Sequence, residues 1–184
     1  IALIIFIAPT YQYGLLGVRP ENKKAEAGQT RVACVGDSLT YGSNVKDWKK
    51  NNYPTLLQNK LGSGYVVNNY GLPGATLLDS PKKYAQSKEF KDSLDFKPDV
   101  VVMMIGSNDS WRSKEQIEAN FMREYKNIIE QYRKVNPHVK FKFLIPPKAN
   151  KMIKKEMFYI NDERLVNSIN PIIEKIAEEE RTEL

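Results

Sequence analysis

RVACVGDSLTYG, residues 31–42, decides the fold of this 184-residue chain. After Arg31, its first half is apolar and has the length of a buried strand. Gly36 then permits a tight turn, and Ser38 falls at the start of the helix that follows. Taken alone, this turn is a weak signal, because a serine before a helix is also an ordinary N-cap. It is not the G-x-S-x-G elbow of the α/β-hydrolases, because Thr40 stands where the second glycine would be.

An alternation of strands and helices continues from this stretch to the end of the chain. Strand patterns recur in YVVNNYG (residues 65–71), DVVVMMIG (99–106) and HVKFKFLIPP (138–147). Apolar residues at helical spacing predict helices at 52–62, around Ala85 to Leu94, from about Lys114 to Val135 and from about Asp162 to Glu180. The alternation predicts one α/β domain, with a parallel sheet covered by helices on both faces.

Chemically useful groups follow three of the predicted strands, at the ends where ligands bind in parallel sheets. Ser38 brings a hydroxyl, the loop NYGLPGAT (residues 69–76) brings glycines that let a backbone N–H approach a substrate, and GSND (106–109) brings the amide of Asn108. Acyl transfer requires a hydroxyl that attacks and donors that hold an oxyanion. Each segment also has a plain structural interpretation, as a helix cap, a turn or an Asx-type cap.

GDSLTYG, NYGLPGAT and GSND, in this order and at these intervals, resemble the first three blocks of the SGNH/GDSL hydrolases. The resemblance covers roughly Arg31 to Leu184. It extends to FYINDERLVNSINPIIEKIAEE, which resembles the last helix before the final block in secreted carbohydrate-esterase-like members. The resemblance implies a three-layer α/β/α fold with a flavodoxin-like parallel sheet, from which the final strand and helix are expected to be missing.

The same resemblance implies roles for individual residues. Ser38 is the expected nucleophile, and the expected oxyanion hole consists of the backbone N–H groups of Ser38 and Gly74 and the side-chain amide of Asn108. Asp37 is expected to support the nucleophile turn and not to act as a general base. Asp37 and Trp111 are also candidates for substrate contact. The family pattern implies a reaction without a metal or another cofactor, and no metal-ligand cluster is evident in the sequence.

The histidine that would activate Ser38 is missing from the sequence. The family completes its catalytic triad with an Asp-x-x-His block after one further strand, and this chain ends at Leu184 before such a block. His138, the only histidine, begins the fourth predicted strand, so about seven residues at ~3.3 Å each place it on the order of 20 Å from the serine. A general base must lie within about 3 Å of the hydroxyl or one water away. We therefore expect His138 to be a solvent-facing loop residue, and the sequence to be an internal piece of a longer reading frame.

The first residues, IALIIFIAP, begin an apolar run that carries no charge through Val18. Together with the polar stretch that follows, residues 1–30 resemble the remnant of a signal or anchor segment and a linker. Residues 31–184 are then the hydrolase domain. We expect export, or a tether at an outer membrane face, and a docked N-terminal strand is the alternative.

The composition does not indicate a nucleic-acid partner. The formal net charge is +6, but the lysines are scattered as pairs among acidic residues, which predicts a solvated basic surface. The single cysteine, Cys34, lies in an apolar run and is expected to be a buried, inert thiol.

Three functions are consistent with these patterns. The first is an exported esterase that removes small acyl groups, such as O-acetyl groups on carbohydrates, through an acyl-enzyme on Ser38. The second keeps this chemistry but acts on lysophospholipids or thioesters, which a long apolar groove would favour. A polar, aromatic-lined cleft near Trp111 and Tyr84 would favour sugars, although Trp111 could equally be a lid or core residue. The third is a binding module that keeps the fold and the oxyanion pocket without turnover.

Overall fold

Four parallel strands form the centre of the computed structural model, which describes Val18 and residues 20–148 and 160–182. The strands are β1 (Thr30–Gly36), β2 (Tyr65–Gly71), β3 (Val100–Met104) and β4 (Lys140–Phe143). They pair in the order β2-β1-β3-β4, and every pairing is parallel. This order confirms the expected flavodoxin-like sheet. The apolar run of residues 1–17, interpreted as an anchor remnant, lies outside the described residues.

Helices connect the strands and cover the sheet. The helices are α1 (Ser38–Tyr41), α2 (Trp48–Asn51), α3 (Tyr53–Leu61), α4 (Lys88–Asp95), α5 (Lys114–Val135), α6 (Asp162–Arg164) and α7 (Asn170–Glu179). A π-helical turn, Leu165–Ile169, joins α6 to α7, and 3₁₀ turns lie at Tyr84–Gln86 and Ser107–Trp111. None of the helices in the described ranges is long and apolar enough to cross a membrane.

Side-chain caps set the ends of the longer helices. The predicted bounds of α5 are confirmed, and a capping box begins this helix: Ser113 Oγ accepts from the Gln116 N–H, and the Gln116 side chain accepts from the Ser113 N–H. The helix expected around Ala85 to Leu94 begins later, because Ser87 caps it by accepting a hydrogen bond from the Phe90 N–H.

The two faces of the sheet bury different apolar clusters, because successive residues of a strand point to opposite faces. Ala33 and Val35 of β1 belong to the larger cluster, which also contains side chains of α4, α5 and α7. Val32 and Cys34 belong to a smaller cluster, against which side chains of α3 pack. The three expected layers are therefore present. Cys34 is fully buried, as expected, and burial raises the pKa of its thiol to about 12.

Part of the segment before β1 is hydrogen-bonded to the outer edge of β2. The Asn22 side chain accepts a hydrogen bond from the Asn69 N–H at 2.9 Å. The Lys23 N–H donates to the side chain of Asn68, also at 2.9 Å. An exposed strand edge is a template for pairing with another chain, and these contacts occupy polar groups along it.

Replacing Gly36 with alanine is expected to destabilise the fold strongly. A Cβ at Gly36 would overlap the carbonyl oxygen of Met104 and lie 2.5 Å from Thr40 Oγ1, so β1 and β3 would have to separate. We expect the free energy of unfolding, measured by urea denaturation, to fall by about 3 kcal/mol or more, as for severe overpacking. Gly64→Ala is the control, because a Cβ there meets no atom within 4 Å. An equal loss in both variants would contradict the steric explanation.

Candidate active site

The carboxyl ends of β1, β2 and β3 meet at one edge of the sheet, where the strand order reverses around β1. Gly36, the last residue of β1, is in register with the last residues of both neighbouring strands. The Leu72 N–H donates to the Gly36 carbonyl at 2.9 Å, so the loop after β2 begins beside the turn after β1. Ligands of open parallel sheets bind at such a reversal. The segments that carry Ser38, Gly74 and Asn108 all leave the sheet here.

Ser38 is the first residue of α1 and is partly exposed at this edge. The preceding residue, Asp37, caps the helix, because its Oδ1 accepts a hydrogen bond from the Leu39 N–H at 2.9 Å. The backbone N–H of Ser38 makes no hydrogen bond with any described residue. The turn therefore presents a hydroxyl together with an N–H donor.

Gly74 and Asn108 come from different loops and line one open groove. The complete lining is Gly74, Thr76, Ser80, Pro81, Lys82, Asn108 and Trp111. Asn108 Nδ2 donates to the Ala75 carbonyl at 2.8 Å, and the second hydrogen of this amide group remains. Gly74 has a φ of +80°, a backbone conformation that residues other than glycine rarely adopt. No described residue accepts a hydrogen bond from the Gly74 N–H. Both expected donors are thus in the same groove.

Trp111 forms a wall of this groove and is 49% exposed. The Arg112 guanidinium covers one face of its ring, 4.1 Å from the ring centroid. Tyr84, the other aromatic residue expected near the cleft, is fully buried, and its hydroxyl donates to the Tyr70 carbonyl at 2.7 Å. Of the two aromatic residues whose cleft would favour sugars, Trp111 therefore lines the groove, whereas the Tyr84 ring belongs to the core.

A buried carboxylate that the sequence patterns did not single out joins the two loops of the groove. Asp109 accepts hydrogen bonds from the N–H groups of Leu77 and Leu78 at 2.9 and 2.8 Å. Burial raises the pKa of Asp109 to about 7, although these two hydrogen bonds oppose the shift. From sequence, this segment could be an Asx-type cap on the next helix, but Ser113 caps that helix. Asp109 instead holds the loop that carries Gly74 against the turn that carries Asn108.

Asp37 does not contact a substrate in this arrangement, because its side chain is fully buried beneath the turn. Burial raises the pKa of Asp37 to about 6, while the hydrogen bond from the Leu39 N–H favours the ionised form. This burial corrects the expectation of a substrate-binding Asp37. The capping hydrogen bond to Leu39 is consistent with the other expected role, support of the nucleophile turn.

His138 is exposed and lies in the turn before β4, as expected. Because the strands are parallel, the amino end of β4 lies at the opposite edge of the sheet from Ser38. His138 therefore cannot take a proton from Ser38.

The described part of the chain contains no group of three or more histidine, cysteine or acidic side chains that could hold a metal ion.

The structure thus brings three of the expected site residues, Gly74, Asn108 and Trp111, into one groove. Ser38 lies at the same edge of the sheet, although it is not one of the residues that line the groove. A hydroxyl beside N–H donors can attack an acyl carbon while the donors hold the oxygen that becomes negative.

The chain resembles known proteins in sequence. A family model described as GDSL-like lipase/acylhydrolase family matches residues 34–184. An acetylxylan esterase from Xylanibacter ruminicola is 33% identical over 163 residues, which cover 81% of this chain and 34% of that protein. The chain therefore spans about a third of the length of the curated relative it matches.

Solved structures share the fold. The acetyl xylan esterase AlAXEase has a TM-score of 0.61 and 25% identity, over 84% of this chain and 75% of that chain. Est24, a carbohydrate acetylesterase from Sinorhizobium meliloti, has a TM-score of 0.60 and 20% identity, over 84% and 82% of the two chains. An aryl esterase from M. smegmatis has a TM-score of 0.59 and 16% identity, over 83% and 81%. The last two identities are low enough that these matches show the fold alone.

The two buried carboxylates are expected to make the protein less stable as the pH rises. The pKa values of Asp37 and Asp109 are raised to about 6 and about 7 in the folded protein, so above pH ~4 the folded state binds more protons than the unfolded state. The stability linked to these protons is fully present below pH ~4 and is lost as the pH rises through the folded-state pKa values. Between about pH 5 and 7.5, the free energy of unfolding in urea should fall by on the order of 3 kcal/mol.

Asp109→Asn separates this effect from the general pH dependence of stability. The asparagine oxygen can still accept hydrogen bonds from Leu77 and Leu78, but the side chain does not titrate, so most of the decline should disappear. Other carboxyl groups, such as Asp99 beside Arg31, have a lowered pKa, and the protein loses the stability linked to them only as the pH falls below ~4. They do not act in the range measured. The same slope in the variant and the parent protein would contradict the assignment to Asp109.

Proposed function

Because the chain belongs to the GDSL-like lipase/acylhydrolase family, we propose that it acts as a serine esterase that removes acetyl groups from carbohydrates. The observation that carries the proposal is the groove in which Gly74 and the Asn108 amide lie, at the sheet edge where Ser38 is exposed. Two relatives described as acetylxylan esterases support the choice of an acetyl group and of a carbohydrate substrate in this proposal. The family match to residues 34–184 supports residues 31–184 as the hydrolase domain.

In the proposed reaction, Ser38 Oγ attacks the carbonyl carbon of the ester and its proton passes to a general base. The carbonyl oxygen becomes negative and accepts hydrogen bonds from the N–H groups of Ser38 and Gly74 and from the amide of Asn108. Collapse of this intermediate breaks the bond to the sugar oxygen, which leaves with the proton, and an acyl-enzyme forms on Ser38. Water then attacks the acyl-enzyme by the same route and releases acetate.

The general base of this reaction is not His138, the single histidine of the chain, because it lies at the opposite edge of the sheet. By the family resemblance, the base is the histidine of an Asp-x-x-His block. The hydrolysis experiment below therefore uses the complete product of the gene. A serine hydrolase without its base keeps a small rate from the oxyanion hole and from binding, so slow turnover by this chain alone agrees with the proposal.

The exposed aromatic ring in the groove favours a sugar as the substrate. Trp111 offers an exposed aromatic surface, against which the apolar face of a sugar ring can pack. A long acyl chain would need a long apolar groove, whereas an open groove admits a polysaccharide chain.

The proposal includes action outside the cytoplasm, either as an exported protein or as one tethered to a membrane. The stretch from Ile1 to Val18 supports it, because it begins with the apolar run IALIIFIAP and carries no charge, as in export signals and anchors. Fractionation of cells that express the complete gene product, with detection in the membrane and secreted fractions, tests this part of the proposal.

Ser38→Ala is expected to abolish hydrolysis of 4-nitrophenyl acetate by the complete gene product, because it removes the nucleophile. Asn108→Ala should lower kcat by about 100-fold, because it removes one oxyanion donor. Ser43→Ala is the matched control, since Ser43 follows α1 and has no role in the reaction. Unchanged rates in Ser38→Ala would overturn the proposal. A complete product that binds acetylated sugars without hydrolysing any ester would instead identify a binding module.

Trp111→Ala is expected to raise KM for acetylated xylan by about threefold to tenfold, because the sugar loses its stacking surface. KM for 4-nitrophenyl acetate, which has no sugar, should change little. Trp111→Phe keeps an aromatic face and should recover most of the affinity for xylan. An equal loss on both substrates would show that Trp111 only supports the wall of the groove.

A further inference from the structure

Lys82 occupies a position in the groove that the proposed reaction does not use. Its side chain lies over Gly74, since a Cβ placed on Gly74 would be 3.2 Å from Lys82 Nζ. Lys82 Nζ donates to the Pro73 carbonyl at 3.1 Å. Lys82 also lines the groove together with Asn108 and Trp111. A cation is therefore held directly beside one of the proposed oxyanion donors.

The backbone of Lys82 is fixed relative to the same loop. The Thr76 N–H donates to the Lys82 carbonyl at 3.1 Å, and the Lys82 N–H donates to Ser80 Oγ at 3.0 Å. The hydroxyls of Thr76 and Ser80 are hydrogen-bonded to each other at 2.6 Å. A β-bridge between Thr76 and Lys83 closes the loop. Because the backbone at Lys82 is positioned before binding, less of the loop has to be ordered when a ligand is held there.

Lys82 and Lys83 are neighbours in sequence but differ in the compensation of their charges. Lys83 Nζ forms ion pairs with Asp79 at 2.8 Å and with Glu124 at 2.9 Å. The structure shows no ion pair between Lys82 and a described carboxylate, and Lys82 Nζ donates to a neutral carbonyl instead. An ammonium group has three donors. Lys82 therefore keeps donors and a full charge for a ligand in the groove.

Arg112 adds a second positive charge behind the Trp111 wall. Its guanidinium stacks on the Trp111 ring, and its Nη2 donates to the backbone carbonyl of Asp79. Its Nε is buried and has no hydrogen-bond partner in the described part of the chain. Arg112 thus adds a second cation on this side of the groove, near the carboxylate of Asp79, and a cation attracts an anionic substrate.

We propose that Lys82 binds the carboxylate of a uronic acid residue that neighbours the acetylated sugar, so that the substrate is an acidic acetylated polysaccharide. The proposal rests on the proposed esterase function, because it assigns the ligand of the same groove. The carboxylate accepts charge-assisted hydrogen bonds from the ammonium protons that Pro73 does not take. Trp111 then packs against the face of a sugar ring in the same chain.

The test compares two ligands by isothermal titration calorimetry, with Ser38→Ala in every protein so that the acetyl groups stay in place. Acetylated xylo-oligosaccharides are separated by anion exchange into a neutral pool and a pool with one glucuronosyl branch. At low salt the charged pool should bind about threefold to fivefold more tightly, as expected for a partly exposed charge pair. The preference should fade at high salt, because the charges are screened. Equal binding of both pools at low salt would overturn the proposal and leave the esterase function standing.

Lys82→Gln is the decisive variant, because glutamine keeps a donor for the Pro73 carbonyl but carries no charge. The preference for the charged pool should disappear in this variant, while the affinity for the neutral pool stays the same. Lys60→Gln makes the same change of charge at the end of α3, away from the groove, and should keep the preference. An equal loss of affinity for both pools in Lys82→Gln would show that Lys82 only supports the groove. Absence of binding for both pools, together with no hydrolysis of either pool by the complete gene product with Ser38 intact, would overturn the esterase function itself.

Discussion

The hydrogen bonds that Leu77 and Leu78 donate to the buried carboxylate of Asp109 hold the loop after β2 against the turn after β3. The rest of the groove depends on this interaction. Gly74 lies three residues before Leu77, and Asn108 directly precedes Asp109, so one carboxylate fixes the two proposed oxyanion donors relative to each other. The contact joins an irregular loop to the 3₁₀ turn Ser107–Trp111, so it fixes the relative position of two segments that lie outside the sheet.

This arrangement has an energetic cost, because it takes carboxyl groups out of water. The pKa of Asp109 is raised to about 7, mainly by burial, and the nearby charge of Asp37 contributes to the shift. Asp37 supports the turn of Ser38 from beneath, and Asp109 supports the groove. Apolar side chains at both positions would avoid the cost but would leave the turn and the loop without acceptors for their N–H groups.

The elements that local pattern specifies were predicted well. The centres of β1 and β3 are short apolar runs, β4 alternates lysine with phenylalanine, and α5 begins with a capping box, so these elements were readable from a few neighbouring residues. The contact between Asp109 and Leu77 joins residues 32 positions apart, and nothing local distinguishes it from an Asx-type cap. In the same way, the identity of Tyr84 does not show whether its ring lies in the core or in the cleft. An acidic residue directly after a strand-end amide was the only signal of the buried carboxylate.

Different parts of the loop after β2 serve the proposed reaction and the proposed substrate preference. Its inner part, with Gly74, is held by Asp109, whereas its outer part, with Lys82, is closed by backbone bonds to Thr76 and by the hydroxyl of Ser80. The backbone bonds of Lys82 do not involve its ammonium group, so a substitution there changes the charge of the groove and leaves the loop closed. A change in loop length would instead move Gly74 and Lys82 together. Substrate preference can therefore vary through single side chains on the outer part while the geometry of the donors is kept, as is general for loops on a rigid scaffold.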